Sequence, residues 1–351
     1  MKILITGTAG FIGYHLCIAL LHQGVNVVGI DNINEYYDIN LKYARLAETG
    51  IPKENISYGK PVQSLTFSKY SFIKLDITDR ENLGKLFQAE KFDTVCHLAA
   101  QAGVRYSLTN PQAYLDSNIQ GFLNMLECCR HHQIKHLIYA SSSSVYGLNK
   151  KMPFSTHDNV DHPISLYAAS KKSNELMAHT YSYLFNMPTT GLRFFTVYGP
   201  WGRPDMAIFL FTKAILERKP IQIFNNGNMK RDFTYVDDIV QGIIRVVNSP
   251  AEGVPAWDDQ RPDPSNSCAP YRVLNIGRGK SVPILEFVNE IEKCVGLKAA
   301  KILLPLQDGD VEETWADVND LVNNFGYKPT VEVSEGVPNF VNWFKNFYGI
   351  F

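Results

Sequence analysis

Short apolar runs alternate with segments of helical periodicity along the first two hundred residues of the chain. The apolar, β-branched runs lie at 2–6, 25–31, 72–77, 93–99, 136–141 and 189–195. Strands that are apolar throughout are typical of a parallel sheet covered on both faces by helices, because both faces are then buried. The pattern predicts an α/β fold with a doubly wound parallel sheet.

The regular alternation stops after Gly199. A turn follows at 201–204, helical periodicity returns at 207–218, and 251–270 is rich in Pro, Asp and Ser. These changes predict a first domain over 1–198 and a second, smaller α/β substrate lobe over 199–351. The segment of about 231–250 is predicted to rejoin the first domain, which makes the lobe discontinuous. Residues 49–71 interrupt the first domain as a predicted surface excursion.

The composition of the chain argues against several classes of binding partner. Lys plus Arg number 34 and Asp plus Glu number 35 among 351 residues, so no overall field attracts nucleic acid or an anionic membrane. The six cysteines form no paired metal-binding motif, and we expect no metal site. The chain enters an apolar strand directly at its start, without the features of a signal peptide, and we expect a cytoplasmic protein.

Three glycines at a spacing of three follow the first predicted strand. Gly7, Gly10 and Gly13 lie at the head of an amphipathic helix, where a backbone without Cβ atoms can approach a pyrophosphate. A tight structural turn is the alternative interpretation. Asp31, at the end of the next strand, favours a dinucleotide, because its carboxylate can accept hydrogen bonds from an adenosine ribose. The same carboxylate would repel a 2′-phosphate and no arginine follows it, so the sequence indicates a Rossmann-like domain that binds NAD.

The third strand ends in a second acidic position. Asp76 and Ile77 lie where an adenine edge can be read, although an exposed aspartate at a strand end is a nearly equal alternative.

A tyrosine and a lysine form the candidate acid/base pair. If 166–185 is a helix, Tyr167 and Lys171 lie one turn apart on the same face. A tyrosine that acts as a base needs positive charge nearby, because an unperturbed phenol titrates near ~10. A surface tyrosine and lysine are the plainer alternative. Four serines at 141–144 argue against it, since hydroxyls at the carboxyl end of a strand lie where such sheets bind ligands.

These motifs together resemble the extended short-chain dehydrogenase/reductase family over essentially the whole chain. The resemblance implies that Tyr167 is the catalytic base, that Lys171 lowers its pKa and holds the nicotinamide ribose, and that Ser142 is the hydroxyl partner, with Ser143 and Ser144 as further contacts. It also implies an NAD site lined by Phe11, Ile12, Asn32, Ala99, Ala100, Gln101 and Ser117.

Within that family, residues 97–105 and 192–207 look most like UDP-glucuronate 4-epimerases. The resemblance implies interconversion of UDP-glucuronate and UDP-galacturonate through a transient 4-keto intermediate, with Thr196, Arg203, Arg231 and Asp310 facing the UDP-sugar. Epimerisation of another UDP-hexose, decarboxylation of UDP-glucuronate and a non-catalytic NAD-binding module are the alternatives.

The sugar carboxylate needs a cationic partner, because the 4-keto form of this sugar is a β-keto acid that can lose carbon dioxide. Arginine binds carboxylates bidentately. Arg203 is our first candidate and Arg105 the second, with a surface salt bridge as the alternative for either. Gln307 replaces an arginine of related UDP-galactose epimerases, and Thr314 replaces a bulkier tyrosine found in some of them, which leaves space beside the sugar.

Two long segments carry more apolar residues than one core requires. Examples within 112–132 and 167–186 are Leu123, Met125, Leu126, Leu176 and Leu184. The family resemblance implies a homodimer built from these helices, and burial against the sheet is the alternative.

Overall fold

The computed structural model describes residues 1–307 and 309–350. Its strands are β1 (Lys2–Thr6), β2 (Asn26–Asp31), β3 (Pro61–Gln63), β4 (Tyr70–Lys74), β5 (Thr94–His97), β6 (His136–Ser142), β7 (Thr189–Phe194), β8 (Thr196–Tyr198), β9 (Ile221–Ile223), β10 (Lys230–Arg231), β11 (Phe233–Tyr235), β12 (Tyr271–Ile276), β13 (Val282–Pro283), β14 (Lys301–Leu303) and β15 (Glu313–Thr314).

The helices follow the same chain order. They are α1 (Phe11–His22), α2 (Ile39–Glu48), α3 (Arg80–Glu90), α4 (Tyr106–Thr109), α5 (Gln112–Tyr114), α6 (Gly121–His131), α7 (Leu166–Phe185), α8 (Ala207–Leu216), α9 (Val236–Val247), α10 (Ile284–Val295), α11 (Asn319–Phe325) and α12 (Val333–Tyr348). A π-helical turn, Leu115–Gln120, joins α5 to α6.

One large sheet organises the described residues. Its eight strands lie in the order β12-β7-β6-β5-β1-β2-β4-β3, and every neighbouring pair except β3 with β4 is parallel. The order reverses at β1, because β2 lies on one side of it and β5 on the other. This confirms the predicted doubly wound, Rossmann-like sheet, and ligands bind such sheets outside the carboxyl ends of the strands at this switch point.

Alternate residues of the central strands enter two different cores. Ile3 and Ile5 of β1 pack in a cluster that includes Leu16 and Leu20 of α1. Leu4, between them, packs on the opposite face in a cluster with Phe122 of α6. Side chains alternate across a strand, so an uninterrupted apolar run covers both faces.

The excursion at 49–71 adds an edge to this sheet. It contains β3, which pairs antiparallel with β4 through Val62 and Phe72. The excursion therefore extends the sheet by one short antiparallel strand and leaves the order of the parallel strands unchanged.

Residues beyond 198 contribute both to the large sheet and to a separate core. Strand β12 pairs with β7, and α9 packs against α1. Helices α8, α10 and α12 instead surround a third apolar cluster that includes Phe209, Phe287 and Phe340. The domain boundaries at 198 and at about 231–250 stay predictions.

Among the described residues, no helix has both the length and the apolar character needed to cross a membrane.

Candidate active site

A cleft of about 1000 Å³ opens at the carboxyl ends of the parallel strands and extends to β9. Most residues that the sequence singled out lie on its wall. These are Gly7, Gly10, Phe11, Ile12, Gly13, Asp31, Asn32, Ile77, Ala99, Ala100, Gln101, Arg105, Ser117, Ser142, Ser143, Ser144, Tyr167, Lys171, Thr196, Arg203, Arg231 and Asp310.

Three predicted residues lie outside that wall. Asp76 accepts a hydrogen bond at 2.8 Å from Nδ2 of Asn32, and Asn32 itself lines the cleft. Thr314 lines a smaller neighbouring cavity of about 130 Å³, which it shares with Ser143 and Ser144. The Oε1 atom of Gln307 is buried and has no hydrogen-bond partner among the described residues. Their binding roles stay predictions.

The glycine loop leaves no room for side chains. Gly7 has φ +79°, and a Cβ there would lie 3.0 Å from the backbone nitrogen of Ala99. A Cβ on Gly13 would lie 2.2 Å from the carbonyl oxygen of Gly7. The loop therefore packs backbone against backbone and brings the first turn of α1 to the cleft, where its N–H groups favour an anion.

Asp31 is oriented by the backbone at the end of β2. Its carboxylate accepts hydrogen bonds from Ile33 N at 2.8 Å and from Ala9 N at 3.2 Å. It is almost fully buried yet lines the cleft. This position suits an acceptor for ribose hydroxyl groups at the glycine-loop end of the site.

A buried histidine connects β5 to β1 beneath the same site. His97 Nδ1 lies 2.9 Å from Thr6 Oγ1, which also accepts a hydrogen bond from Ala99 N at 2.9 Å. Burial, aided by the charge of Lys171, lowers the pKa of His97 to about 3. The imidazole is therefore neutral at physiological pH and acts as a fixed support for the loop after β5.

Tyr167 lies in the first turn of α7 because Ser165 caps that helix. The Ser165 hydroxyl oxygen accepts a hydrogen bond from Ala168 N at 3.1 Å. The phenol reaches the end of β6, where Ser142 is nearly buried. The Tyr167 ring also contacts the Tyr114 ring edge to face, with centroids 6.0 Å apart.

Burial raises the pKa of the Tyr167 phenol above its usual value of 10.0. The Ser142 hydroxyl, which lies near the phenol, and the positive charge of Arg203 oppose that increase. The sequence predicted that Lys171 would lower this pKa, whereas the opposing charge in the structure comes from Arg203. The protonated phenol is thus the resting form at neutral pH.

Lys171 is buried one helical turn below Tyr167. Its ammonium donates a hydrogen bond to the Ala140 carbonyl at 2.8 Å. Burial lowers its pKa to about 8. The ammonium is therefore positioned at the end of β6. Because its pKa stays above neutral, the lysine is still mainly charged at pH 7.

Arg203 forms an ion pair with Asp205, a contact that the sequence did not predict. Its Nε donates to Asp205 Oδ1 at 3.0 Å, and its Nη2 donates to Asp205 Oδ2. Tyr36 donates to the same carboxylate at 3.3 Å. The signal was the acidic residue two positions after the arginine. Within the described part of the chain, Nη1 of Arg203 has no hydrogen-bond partner and remains available to a ligand.

Two arginines share one carboxylate at the other end of the cleft. Arg231 Nη2 donates to Asp310 Oδ1 at 2.8 Å, and Arg105 Nη2 lies 3.8 Å from Asp310 Oδ2. Arg105 also lies over the Phe224 ring, 4.6 Å from its centroid. One carboxylate against two guanidinium groups leaves net positive charge, which suits a diphosphate.

Apolar side chains complete the wall beyond the arginines, and no sequence motif marked them. They are Met206, Leu210, Phe211, Ile221, Ile223, Phe224, Met229, Phe233 and Ile284. An apolar wall next to a cationic patch is suited to a nucleoside diphosphate.

The residues fit a dinucleotide on structural grounds. The backbone cradle around Gly7 and Gly13 would be filled by any Cβ, and Asp31 lies at the adjoining strand end. The candidate acid/base pair, Tyr167 and Lys171, lines the same cleft as that loop.

Comparison with known proteins agrees with this geometry. The model of the NAD dependent epimerase/dehydratase family matches residues 3–277. The chain belongs to this family, which confirms the resemblance drawn from its motifs and the expectation of an NAD-using epimerase.

Individual relatives cover the whole chain. It is 55% identical over 348 residues to protein CapI of Staphylococcus aureus, covering 99% of each chain. It is 45% identical to a probable UDP-glucuronate 4-epimerase of Rhizobium meliloti, covering 99% of this chain and 98% of that one. A crystal structure of UDP-glucuronic acid 4-epimerase from Bacillus cereus, in complex with UDP-glucuronic acid and NAD, aligns with a TM-score of 0.84 and 36% identity, covering 99% of this chain and 100% of that one.

Proposed function

We propose that this protein is an NAD-dependent 4-epimerase that interconverts UDP-glucuronate and UDP-galacturonate. The observation that carries the proposal is one cleft that brings the Tyr167 phenol together with Arg203 at one end and with the Arg105 and Arg231 pair at the other. The similarity to UDP-glucuronate 4-epimerases over the whole chain supports the same substrate.

NAD, when bound along the glycine loop, supplies reversible acceptance of the hydride from sugar C4. The positive charge of a bound oxidised nicotinamide would favour the phenolate of Tyr167. In that deprotonated form Tyr167 takes the proton of the C4 hydroxyl as that carbon is oxidised, and it returns the proton as the carbon is reduced from the opposite face. The Ser142 hydroxyl donates to the same sugar oxygen when the phenol is deprotonated. In this proposal Lys171 orients the nicotinamide ribose, and the positive charge of Arg203 favours the phenolate.

Arg203 holds the sugar carboxylate in this proposal. Asp205 accepts hydrogen bonds from Nε and Nη2, and Nη1, which has no partner among the described residues, would donate to the sugar carboxylate. A carboxylate held by a guanidinium keeps its negative charge localised, which disfavours its departure as carbon dioxide from the 4-keto intermediate. Arg105 is the second candidate for this contact.

The roles of the phosphate and uridine ends follow from charge and shape. Arg231, with Arg105 and Asp310 beside it, binds the diphosphate, and the apolar wall around Phe224 binds the uridine. Thr196, Ser143 and Ser144 contact the sugar between these ends. The small cavity beside Thr314 leaves space next to the sugar that an N-acetyl group could occupy.

We also propose that the protein is a homodimer. Leu176 and Leu184, eight residues apart on α7, are exposed, as is Leu123 on the neighbouring α6. Met125 and Leu126, which the sequence placed in the same group, are instead buried in the sheet core. The exposed set forms an apolar face that a second copy of the chain would cover. The cytoplasmic location stays a prediction.

The test is a product assay on purified enzyme. UDP-glucuronate should give UDP-galacturonate, observed by proton NMR, without stoichiometric carbon dioxide. UDP-glucose and UDP-N-acetylglucosamine, assayed in parallel, should turn over more slowly. Stoichiometric carbon dioxide would identify a decarboxylase, and a preference for a neutral sugar would remove the carboxylate role of Arg203.

A further inference from the structure

The turn that carries Arg203 has a strained backbone. Trp201 adopts φ +62°, in the left-handed region that bulky residues rarely occupy. Gly202 N closes the turn onto the Gly199 carbonyl at 3.1 Å. Such a conformation costs on the order of 1–3 kcal/mol and persists only where the surroundings hold it.

Arg45 of α2 provides that hold. Its Nη2 and Nε donate to the Trp201 carbonyl at 2.7 and 3.1 Å, and Nη2 also lies 3.5 Å from the Gly202 carbonyl. The residue is fully buried. Both carbonyls belong to the two residues directly before Arg203, so the guanidinium fixes the backbone from which that side chain extends.

The opposite edge of the same guanidinium contacts the cofactor loop. Its Nη1 donates to the Ala9 carbonyl at 2.8 Å and to the Tyr37 hydroxyl at 2.7 Å. Ala9 lies between Gly7 and Gly10. One planar group therefore joins the loop that receives the cofactor to the turn that presents Arg203.

Arg45 makes no ion pair in the described part of the chain; carbonyl and hydroxyl oxygens surround it instead. A buried cation without a carboxylate is expensive, because carbonyl dipoles must replace its hydration. The fork geometry of arginine matches two carbonyl acceptors on one side and two further acceptors on the other.

A second contact holds the same turn from α1. His15 Nε2 lies 2.9 Å from the Pro200 carbonyl. Burial lowers the pKa of His15 to about 4, so the neutral ring donates to that carbonyl at physiological pH. The turn is thus anchored at Pro200, Trp201 and Gly202, in each case to an element that adjoins the cofactor loop.

We propose that Arg45 is a positioning residue, which sets the place of Arg203 in the substrate cleft by holding the Trp201 and Gly202 carbonyls against the cofactor loop. The inference rests on the proposed function, in which Arg203 binds the sugar carboxylate. Arg45 itself lies behind both loops and touches no substrate in this arrangement.

The test compares ligands with and without a carboxylate. Arg45→Lys keeps the charge but loses the fork, and calorimetry of the holoenzyme should show UDP-glucuronate binding weakened about tenfold, because a displaced anchor loses its contact. Binding of UDP, which lacks the sugar, should change by less than about twofold. Carbon dioxide release per epimerisation event should rise in the same variant. Equal weakening for both ligands would overturn the proposal.

A double-mutant cycle separates positioning from general damage. In an Arg203→Met background, Arg45→Lys should leave UDP-glucuronate binding within about twofold, because the positioned group is already gone. Additive losses would contradict the inference. Arg45→Gln, which is neutral and smaller, repeats the cycle if the lysine variant does not fold.

Arg272→Met is the matched control. Arg272 also donates to a backbone carbonyl, that of Ser249, and to Thr190 Oγ1 at 3.1 Å, at the far edge of the sheet. The Arg272→Met substitution should lower the melting temperature without changing either affinity.

The two proposals can fail separately. If the wild-type enzyme does not epimerise UDP-glucuronate, the product assay rejects the proposed function. If the wild type is active and Arg45→Lys binds both ligands as the wild type does, only the positioning role is rejected.

Discussion

At the scale of single residues, burial and two neighbours of Tyr167, the proposed catalytic base, shift its pKa in opposite directions. Burial raises the pKa of Tyr167, while Ser142 and Arg203 act in the opposite direction. A group that must both accept and return a proton benefits from such a balance, because neither form is then fixed. In the proposed function, Arg203 therefore acts both on the substrate carboxylate and on the pKa of the phenol.

Tyr167→Phe should abolish turnover while leaving the cofactor in place. The ring keeps its contact with Tyr114, but no group remains to take the C4 proton, so kcat should fall by about three to four orders of magnitude. The measurement is UDP-galacturonate formation together with the NAD content of the purified protein.

Tyr183→Phe is the matched control for that variant, since Tyr183 lies on the same helix and is exposed. It should retain full activity. Near-normal turnover in Tyr167→Phe would remove the phenol from its proposed role.

Lys171 should make stability depend on pH in the cofactor-free protein. Its folded-state pKa is about 8, against 10.5 for a free lysine. Between these values the unfolded chain binds more protons, so the free energy of unfolding should rise with pH, by up to about 3 kcal/mol. Urea unfolding at pH 7 and at pH 10 measures this.

Lys171→Met isolates the contribution of that one side chain. The stability of wild type relative to Lys171→Met should increase from pH 7 to pH 10, because the cost of the buried charge disappears as the lysine deprotonates. Lys85→Met, at an exposed position on α3, should show no such increase. A difference between wild type and Lys171→Met that stays constant over this range would contradict the effect.

At the scale of elements, a buried ion pair fixes the catalytic helix on the sheet. Glu175, two turns after Tyr167 on α7, accepts hydrogen bonds from Arg193 Nε and Nη2 of β7, both at 2.9 Å, and from Ser141 Oγ of β6 at 2.6 Å. Burial raises the pKa of Glu175, but Arg193 and Ser141 outweigh that effect and hold the pKa below its usual value. The ion pair thus joins the helix of Tyr167 to β7, and the Ser141 hydrogen bond joins it to β6, the strand that ends in Ser142.

Glu175→Gln should destabilise the protein by about 3–5 kcal/mol, because Arg193 is then buried without a counter-charge. Urea unfolding at pH 7 measures the loss. Glu81→Gln removes an exposed ion pair with Lys85 and should leave the unfolding midpoint nearly unchanged. Equal effects of the two substitutions would show that Glu175 contributes no more than a surface charge.

Local periodicity predicted the elements that build the site, but not the contacts between distant segments. Strands at 2–6 and 189–195 and the helix at 166–185 lie within one residue of β1, β7 and α7, since each is defined by its own apolar pattern. The pairing of β12 with β7, and that of Arg45 with Trp201, joins residues far apart in sequence. No pattern within either segment identifies such a partner.

The π-helical turn before α6 is another feature that the sequence pattern does not predict. Asn118 within it accepts a hydrogen bond from Gln101 N at 2.8 Å and donates to Ser170 Oγ at 3.0 Å. It therefore joins the cofactor-side loop after β5 to the catalytic helix. The sequence predicts a single helix over 112–132, because one additional residue per turn barely changes the apolar periodicity.

At the scale of the whole molecule, the same helix that presents Tyr167 to the cleft presents an apolar face to the outside. Leu176 is 58% exposed and Leu184 62% exposed. Both lie on the part of α7 beyond the reacting residues. A partner that covered this face would restrain the catalytic helix from behind, without entering the cleft.

Leu176→Glu should convert the proposed dimer to a monomer, because a carboxylate in the middle of a covered apolar face leaves a charge without water or a partner. Sedimentation velocity should show wild type at twice the chain mass of 39.6 kDa and the variant at that mass.

Leu65→Glu is the matched control: Leu65 is even more exposed but lies in the excursion at 49–71, so its variant should remain dimeric. A monomeric wild type, or a Leu176→Glu variant that stays dimeric, would contradict the proposed interface. If the monomeric variant keeps its NAD but loses part of its kcat, the dimer contributes to catalysis through α7 and not through the cofactor loop.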